Sequence, residues 1–197
     1  MMLGDFVSDV TVQRWLNAAK CADRNWLHLD PNAMRKCYNC RPFVLQHELH
    51  RHPKFGFLPL FKLCRRLPKQ SVKVRVGNVP VDTDFDRSLD VYNNGMGLDD
   101  AISELAERQA YIVINNPELD PEYRTLIEGF MGEIALAILP FDEQLNWYST
   151  YVFISAKGSL TPYHMDREMN FLLQICGEKR VQLWNPDDDR VMSPAMQ

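Results

Sequence analysis

The sequence predicts an α+β protein in which a mainly helical first part leads into a β-rich second part. Two observations carry this. Apolar residues recur at helical spacing through most of the chain up to Pro140, and aromatic and β-branched residues cluster from Trp147 onward, cut into strand-sized runs by Gly158, Gly177 and Pro186. No internal repeat, low-complexity tract or linker divides the 197 residues, so the chain reads as a single unit, 1–197. Within it, 1–140 is the helical lead-in with the first strands, and 141–197 is the β-rich segment.

In order along the chain, Val10, Trp15 and Leu16 suggest an amphipathic opening helix. A short apolar run after Arg41-Pro42 then meets His47, His50 and His52. Phe57, Leu58, Leu60, Phe61, Leu63, Cys64 and Leu67 predict a second helix that ends near Pro68. Leu98, Ile102 and Leu105 keep helical spacing behind Asp99 and Asp100, whose carboxylates suit the positive end of a helix dipole. Ala110–Asn115 reads as a strand. Pro121 stands where a first helical turn tolerates proline, and Leu126, Ile127, Phe130, Met131, Ile134, Ala137 and Ile138 form a broad apolar stripe. Trp147–Ser155 is a strand candidate with turn residues Lys157-Gly158-Ser159 behind it. Met169–Cys176, the Gly177 turn and the alternating Arg180–Trp184 complete a strand, turn, strand, turn, strand order.

Composition narrows the function. With 46% hydrophobic residues the chain can bury a real core. A net charge of −4 and a pI near 5.7 lack the basic face that nucleic acid selects, which argues against such a partner. No apolar run is long enough to span a bilayer, and the N-terminus is acidic at Asp5 and Asp9, so the reading is of a cytoplasmic protein without a membrane partner. Five cysteines, an odd and irregular set, fit a reducing compartment.

The chemistry-bearing segment runs from Thr161 to Lys179. In Thr161-Pro-Tyr-His164-Met-Asp166, an imidazole and a carboxylate stand two positions apart, and on a strand both would reach one divalent cation from the same face. A His-x-Asp pair by itself is a frequent chance match. A second pair, Cys37-x-x-Cys40, has zinc-like spacing, with Cys21, His28 and His47 in the same part of the chain, but lacks a matching second pair.

Thr161-Pro162, His164-x-Asp166, Asn170-Phe171, Gln174-Ile175, Gly177 and Lys179 together resemble the cupin-like, JmjC-type branch of Fe(II) and 2-oxoglutarate dependent oxygenases, nearest in pattern to its asparaginyl hydroxylases. The specific stretch runs from about Tyr148 to Pro186. Pro42-Phe43-Val44, His47 and His52-Pro53 resemble the lead-in of bacterial cupin-like members. The resemblance implies a double-stranded β-helix, or jelly roll, after the helical part. It also implies Fe(II) held by His164 and Asp166, and 2-oxoglutarate held by Lys179 at its distal carboxylate. Thr161 would be a second donor, Asn170 a further polar contact, and Tyr151 a candidate contact from the aromatic strand.

The family's third ligand is a histidine on a later strand, and no histidine follows Asp166 in this sequence. The expectation is therefore of an oxygenase unit incomplete at its C-terminus and inactive as this chain, with a protein side chain as the substrate of the full enzyme. A non-catalytic cupin-like module for binding or regulation, working as a homodimer through open sheet edges, is the alternative.

Overall fold

The computed structural model describes residues 9–22, 24–142, 145, 147–166, 168–185, 188 and 190. In chain order these form α1 (Asp9–Cys21), β1 (Leu27–His28), α2 (Pro31–Cys37), β2 (Gln46–His47), α3 (Phe57–Arg66), β3 (Val72–Arg75), α4 (Phe85–Val91), α5 (Leu98–Ser103), β4 (Tyr111–Asn115), α6 (Pro121–Ile138) and β5 (Tyr151–Ser155). Helices and small antiparallel sheets mix as an α+β fold. Among the described residues, no helix is long and apolar enough to cross a membrane.

Helix α6 organises the helical layer. Asp120 caps it, accepting from the backbone N–H groups of Glu122 and Tyr123 at 3.1 and 3.4 Å, and Pro121 occupies the first turn, where no backbone donor is needed. Arg66 of α3 donates to the same carboxylate at 2.7 Å, which ties two helices and holds the Asp120 pKa below the usual carboxylate range. One face of α6 buries Ile127, Phe130, Ile134 and Ile138, each contributing about 1.5–3 kcal/mol by leaving water. Against it, α1 approaches closely enough that a Cβ at Gly132 would collide with the backbone of Trp15 and the side chain of Ala19. The next residue, Glu133, points its carboxylate at the opposite partner. It accepts from the backbone N–H groups of Trp26 (3.0 Å) and Leu27 (2.8 Å), so the chain entering β1 is pinned to α6.

The three-stranded sheet has the order β3-β4-β5, antiparallel throughout. Its register puts Val74, Ile112 and Ile154 in one cross-strand row and Val72, Ile114 and Val152 in another, and both rows pack into the helical core. The intervening residues Lys73, Arg75, Tyr111, Val113, Tyr151 and Phe153 therefore belong to the other face. There Leu89, Tyr111 and Val113 form a second, smaller apolar cluster with Phe85 of α4 packed against it.

The strands expected over Met169–Cys176 and Arg180–Trp184 do not form ladders among the described residues, where the sheet ends at β5. A strand needs a neighbour to pair with, and β-propensity alone supplies none. Period-2 burial nevertheless persists over 171–176: Phe171, Leu173 and Ile175 pack on the core while Leu172, Gln174 and Cys176 face out. The two expected turns are present, with Gly158 and Gly177 at φ of 82° and 71°.

Candidate functional site

Beside the second face of the sheet stand Thr161, His164 and Lys179, which meet Tyr111, Phe85 and Phe153 respectively. Leaving β5, the chain turns at Gly158 and returns across this face, where the buried Pro162 anchors it. His164 Nδ1 lies 2.9 Å from the carbonyl oxygen of Pro162, two residues back. A carbonyl can only accept, so Nδ1 is the donor of this pair, and a neutral ring held this way has its lone pair on Nε2. Nε2 in turn lies 3.6 Å from Asp166 Oδ2. Two donor atoms about 2.1 Å from one ion can stand that far apart, so the pair fits a shared divalent cation. Asn170 donates to Asp166 Oδ2 at 2.7 Å, which orients the carboxylate rather than reaching a cosubstrate directly. Among the described residues no group of three His, Cys, Asp or Glu side chains could hold an ion, so protein donors here stop at two.

Beside this pair stands a cluster of hydrogen-bond donors. Lys179 Nζ donates to Thr161 Oγ1 at 3.3 Å, and Tyr111 Oη lies 3.2 Å from the same hydroxyl. Lys179 also sits over the Phe153 ring, 5.7 Å from its centroid. Although the residue as a whole is exposed, crowding around its ammonium lowers the Lys179 pKa, because a desolvated cation is disfavoured. Among the described residues no carboxylate pairs with it. Burial likewise raises the Tyr111 pKa, keeping the phenol protonated as a donor. Phe85 joins the two groups: it stacks on His164 at 5.0 Å and meets Phe153 edge-on at 6.4 Å. A partly desolvated cation, a hydroxyl and a phenol next to an imidazole–carboxylate pair form a set suited to a carboxylate whose other end reaches a metal.

The chain is similar to lysine-specific demethylase 8 of Danio rerio. It is 25% identical to that protein over 156 residues, a match that takes in 73% of this chain and 33% of the demethylase, so the chain spans about a third of the length of the curated relative it matches. No protein-family model matches, and no solved structure matches.

Residues outside the site account for the other candidates. His47 Nδ1 accepts from Leu49 N–H at 3.3 Å while its ring also bonds the Gln174 carbonyl, and His52 Nδ1 accepts from Lys54 N–H at 3.2 Å. These two rings serve as local caps. Cys37 Sγ accepts from Arg41 Nε at 3.4 Å, and the exposed Cys40 joins no ion-holding group among the described residues. Tyr151 stacks on Phe153 at 6.1 Å and stands one ring away from Lys179. Tyr111, which meets Thr161 directly, was not singled out by sequence reasoning. In an apolar run such as Ala110–Asn115, alternation gives no clue to which face holds a site.

Proposed function

We propose that this chain forms part of a JmjC-type, cupin-like oxygenase dependent on Fe(II) and 2-oxoglutarate. The observation that carries the reading is the His164 ring, oriented by the Pro162 carbonyl so that Nε2 faces Asp166 beside the Lys179, Thr161 and Tyr111 donors. Lysine-specific demethylase 8, the relative found by comparison, bears the name of a protein-modifying enzyme, and a protein side chain is the substrate class we assign. The jelly roll is part of this proposal, with β3, β4 and β5 as one of its sheets and the Phe171–Ile175 segment as a further strand.

Bound Fe(II), with 2-oxoglutarate and dioxygen, supplies the oxidising chemistry for hydroxylating a C–H bond. The residues of the chain bind and orient. His164 and Asp166 offer one neutral and one anionic donor, a pairing that suits Fe(II) and leaves coordination positions free. Lys179 would neutralise the distal carboxylate of the cosubstrate, with Thr161 and Tyr111 as hydrogen-bonding partners, and the Phe85 and Phe153 rings stand between this cluster and His164.

The test is to measure Fe(II) binding and the conversion of 2-oxoglutarate to succinate by the protein that carries this sequence. Both are expected, and His164→Ala should lose both. A protein that folds but neither binds Fe(II) nor turns over 2-oxoglutarate would sink the enzyme reading. That result would leave a non-catalytic module, for which the exposed Tyr163 and Trp184, in edge-on contact at 5.5 Å, would belong to a binding surface.

A further inference from the structure

Arg75, at the end of β3, is a buried cation without a counter-charge among the described residues. The residue is 1% exposed, yet it takes part in no ion pair, and its Nε has no hydrogen-bond partner. Its contacts are all neutral: Nη1 donates to Ser88 Oγ at 3.2 Å, Nη2 donates to the Leu160 carbonyl at 2.6 Å, and the guanidinium carbon lies 4.4 Å from the centre of the Tyr111 ring. Ser88 is itself fully buried and spends its hydroxyl proton on the Phe85 carbonyl at 2.6 Å. A guanidinium taken out of water without a carboxylate is costly. Burial also works against its charge, lowering its pKa. Packing alone does not explain why this position carries an arginine.

Two of its three contacts, those to Leu160 and Tyr111, lead to the donor cluster. Leu160 immediately precedes Thr161, so the bond to its carbonyl fixes the backbone that aims the Thr161 hydroxyl. Tyr111 lies directly across the sheet from Arg75, and the stacked guanidinium holds the phenol whose Oη meets that same hydroxyl. We infer that Arg75 is a positioning residue for the anion subsite and its buried counter-charge: it sets Thr161 and Tyr111 in place, and its unneutralised charge is balanced when a dicarboxylate binds there. The inference rests on the proposed reading of Lys179, Thr161 and Tyr111 as the 2-oxoglutarate subsite.

The test compares wild type, Arg75→Met and Arg75→Lys by titration calorimetry with 2-oxoglutarate in the presence of Mn(II), with acetate as the comparison ligand and thermal melting alongside. Arg75→Met is expected to melt at or above the wild-type temperature yet bind 2-oxoglutarate at least about tenfold more weakly, the size of one lost charge-assisted interaction. Arg75→Lys should recover part of that affinity, because it restores the charge but not the planar fork. Mn(II) affinity without 2-oxoglutarate should be the same in all three. Wild-type affinity in Arg75→Met overturns the inference, and so does a lowered melting temperature or failure to fold, since either would make the residue structural. Wild-type protein that binds 2-oxoglutarate no better than acetate would instead remove the subsite reading, and the inference with it.

Discussion

The ammonium of Lys179 lies 3.3 Å from the Thr161 hydroxyl, across 18 positions of sequence, and shares it with Tyr111 Oη at 3.2 Å. Side chains from β4 and from beyond the His164-x-Asp166 pair thus converge on the hydroxyl of a third that precedes it. A convergence of donors with no anion among them is arranged for a ligand that brings the negative charge.

Lys179 should give the site its pH dependence. Only the ammonium form binds a carboxylate, and burial has lowered its pKa, so affinity for 2-oxoglutarate should fall as pH rises through a point below the ordinary lysine range. Lys179→Met should weaken binding by about tenfold or more and flatten this dependence. Calorimetric titrations between about pH 7 and about pH 10 check both, and a Lys179→Met profile that still falls with pH would remove Lys179 as the titrating group.

Tyr111 and Tyr151 should separate cleanly. Tyr111→Phe removes the hydroxyl that meets Thr161 and should raise the Kd for 2-oxoglutarate by roughly threefold to tenfold, the value of one hydrogen bond. Tyr151→Phe keeps the stacking on Phe153 and should leave Kd unchanged. Equal losses in the two variants would put both phenols at the ligand.

Two glycines of α6 should respond to alanine with opposite signs. At Gly132 a Cβ would stand 2.6 Å from Ala19 Cβ and 2.8 Å from the Trp15 carbonyl carbon, forcing α1 outward at a cost of about 1–3 kcal/mol. At Gly129, one turn earlier, nothing lies within 4 Å of that position, so alanine should stabilise by about 0.5–1 kcal/mol through helix propensity. Urea unfolding midpoints of the two variants measure the difference, and a Gly132→Ala protein as stable as wild type would contradict the close helix crossing.

His47 should make the protein acid-sensitive. Burial is the main cause of its lowered pKa, and its Nδ1 must stay unprotonated to accept from Leu49 N–H. A folded-state pKa below the unfolded one means that the stability His47 contributes is fully present above about pH 6.5 and is lost as pH falls through the folded pKa. His52, lowered for the same reason and accepting from Lys54 N–H, adds to the effect. Stability measured by urea unfolding should therefore decline between about pH 7 and about pH 5, and less steeply in His47→Gln.

Much of the architecture is legible in the sequence. Pro121 and the 3.6-residue stripe of α6 are local features, and the structure has an 18-residue helix there. The Leu98 and Ile102 spacing likewise marks the helix that forms at α5, which ends at Ser103 short of Leu105, and the apolar run from Ala110 marks β4. The alternation Val72-Lys73-Val74-Arg75-Val76 was equally open to view, but the charges inside it hide a strand whose second face is buried by α4. His164, Asp166, Thr161 and Lys179 are conspicuous because they stand close together in sequence at a recognisable spacing.

What the sequence determines by itself is therefore local: helix limits set by caps, prolines and apolar period, and a cluster of metal- and carboxylate-binding residue types. Which strands find partners, which tyrosine meets Thr161, and the burial of Arg75 without a carboxylate are decided by tertiary structure. The reason is that pairing, facing and desolvation depend on atoms from distant positions. Tyr111 is 50 positions from Thr161, and Arg75 is 85 from the carbonyl it holds.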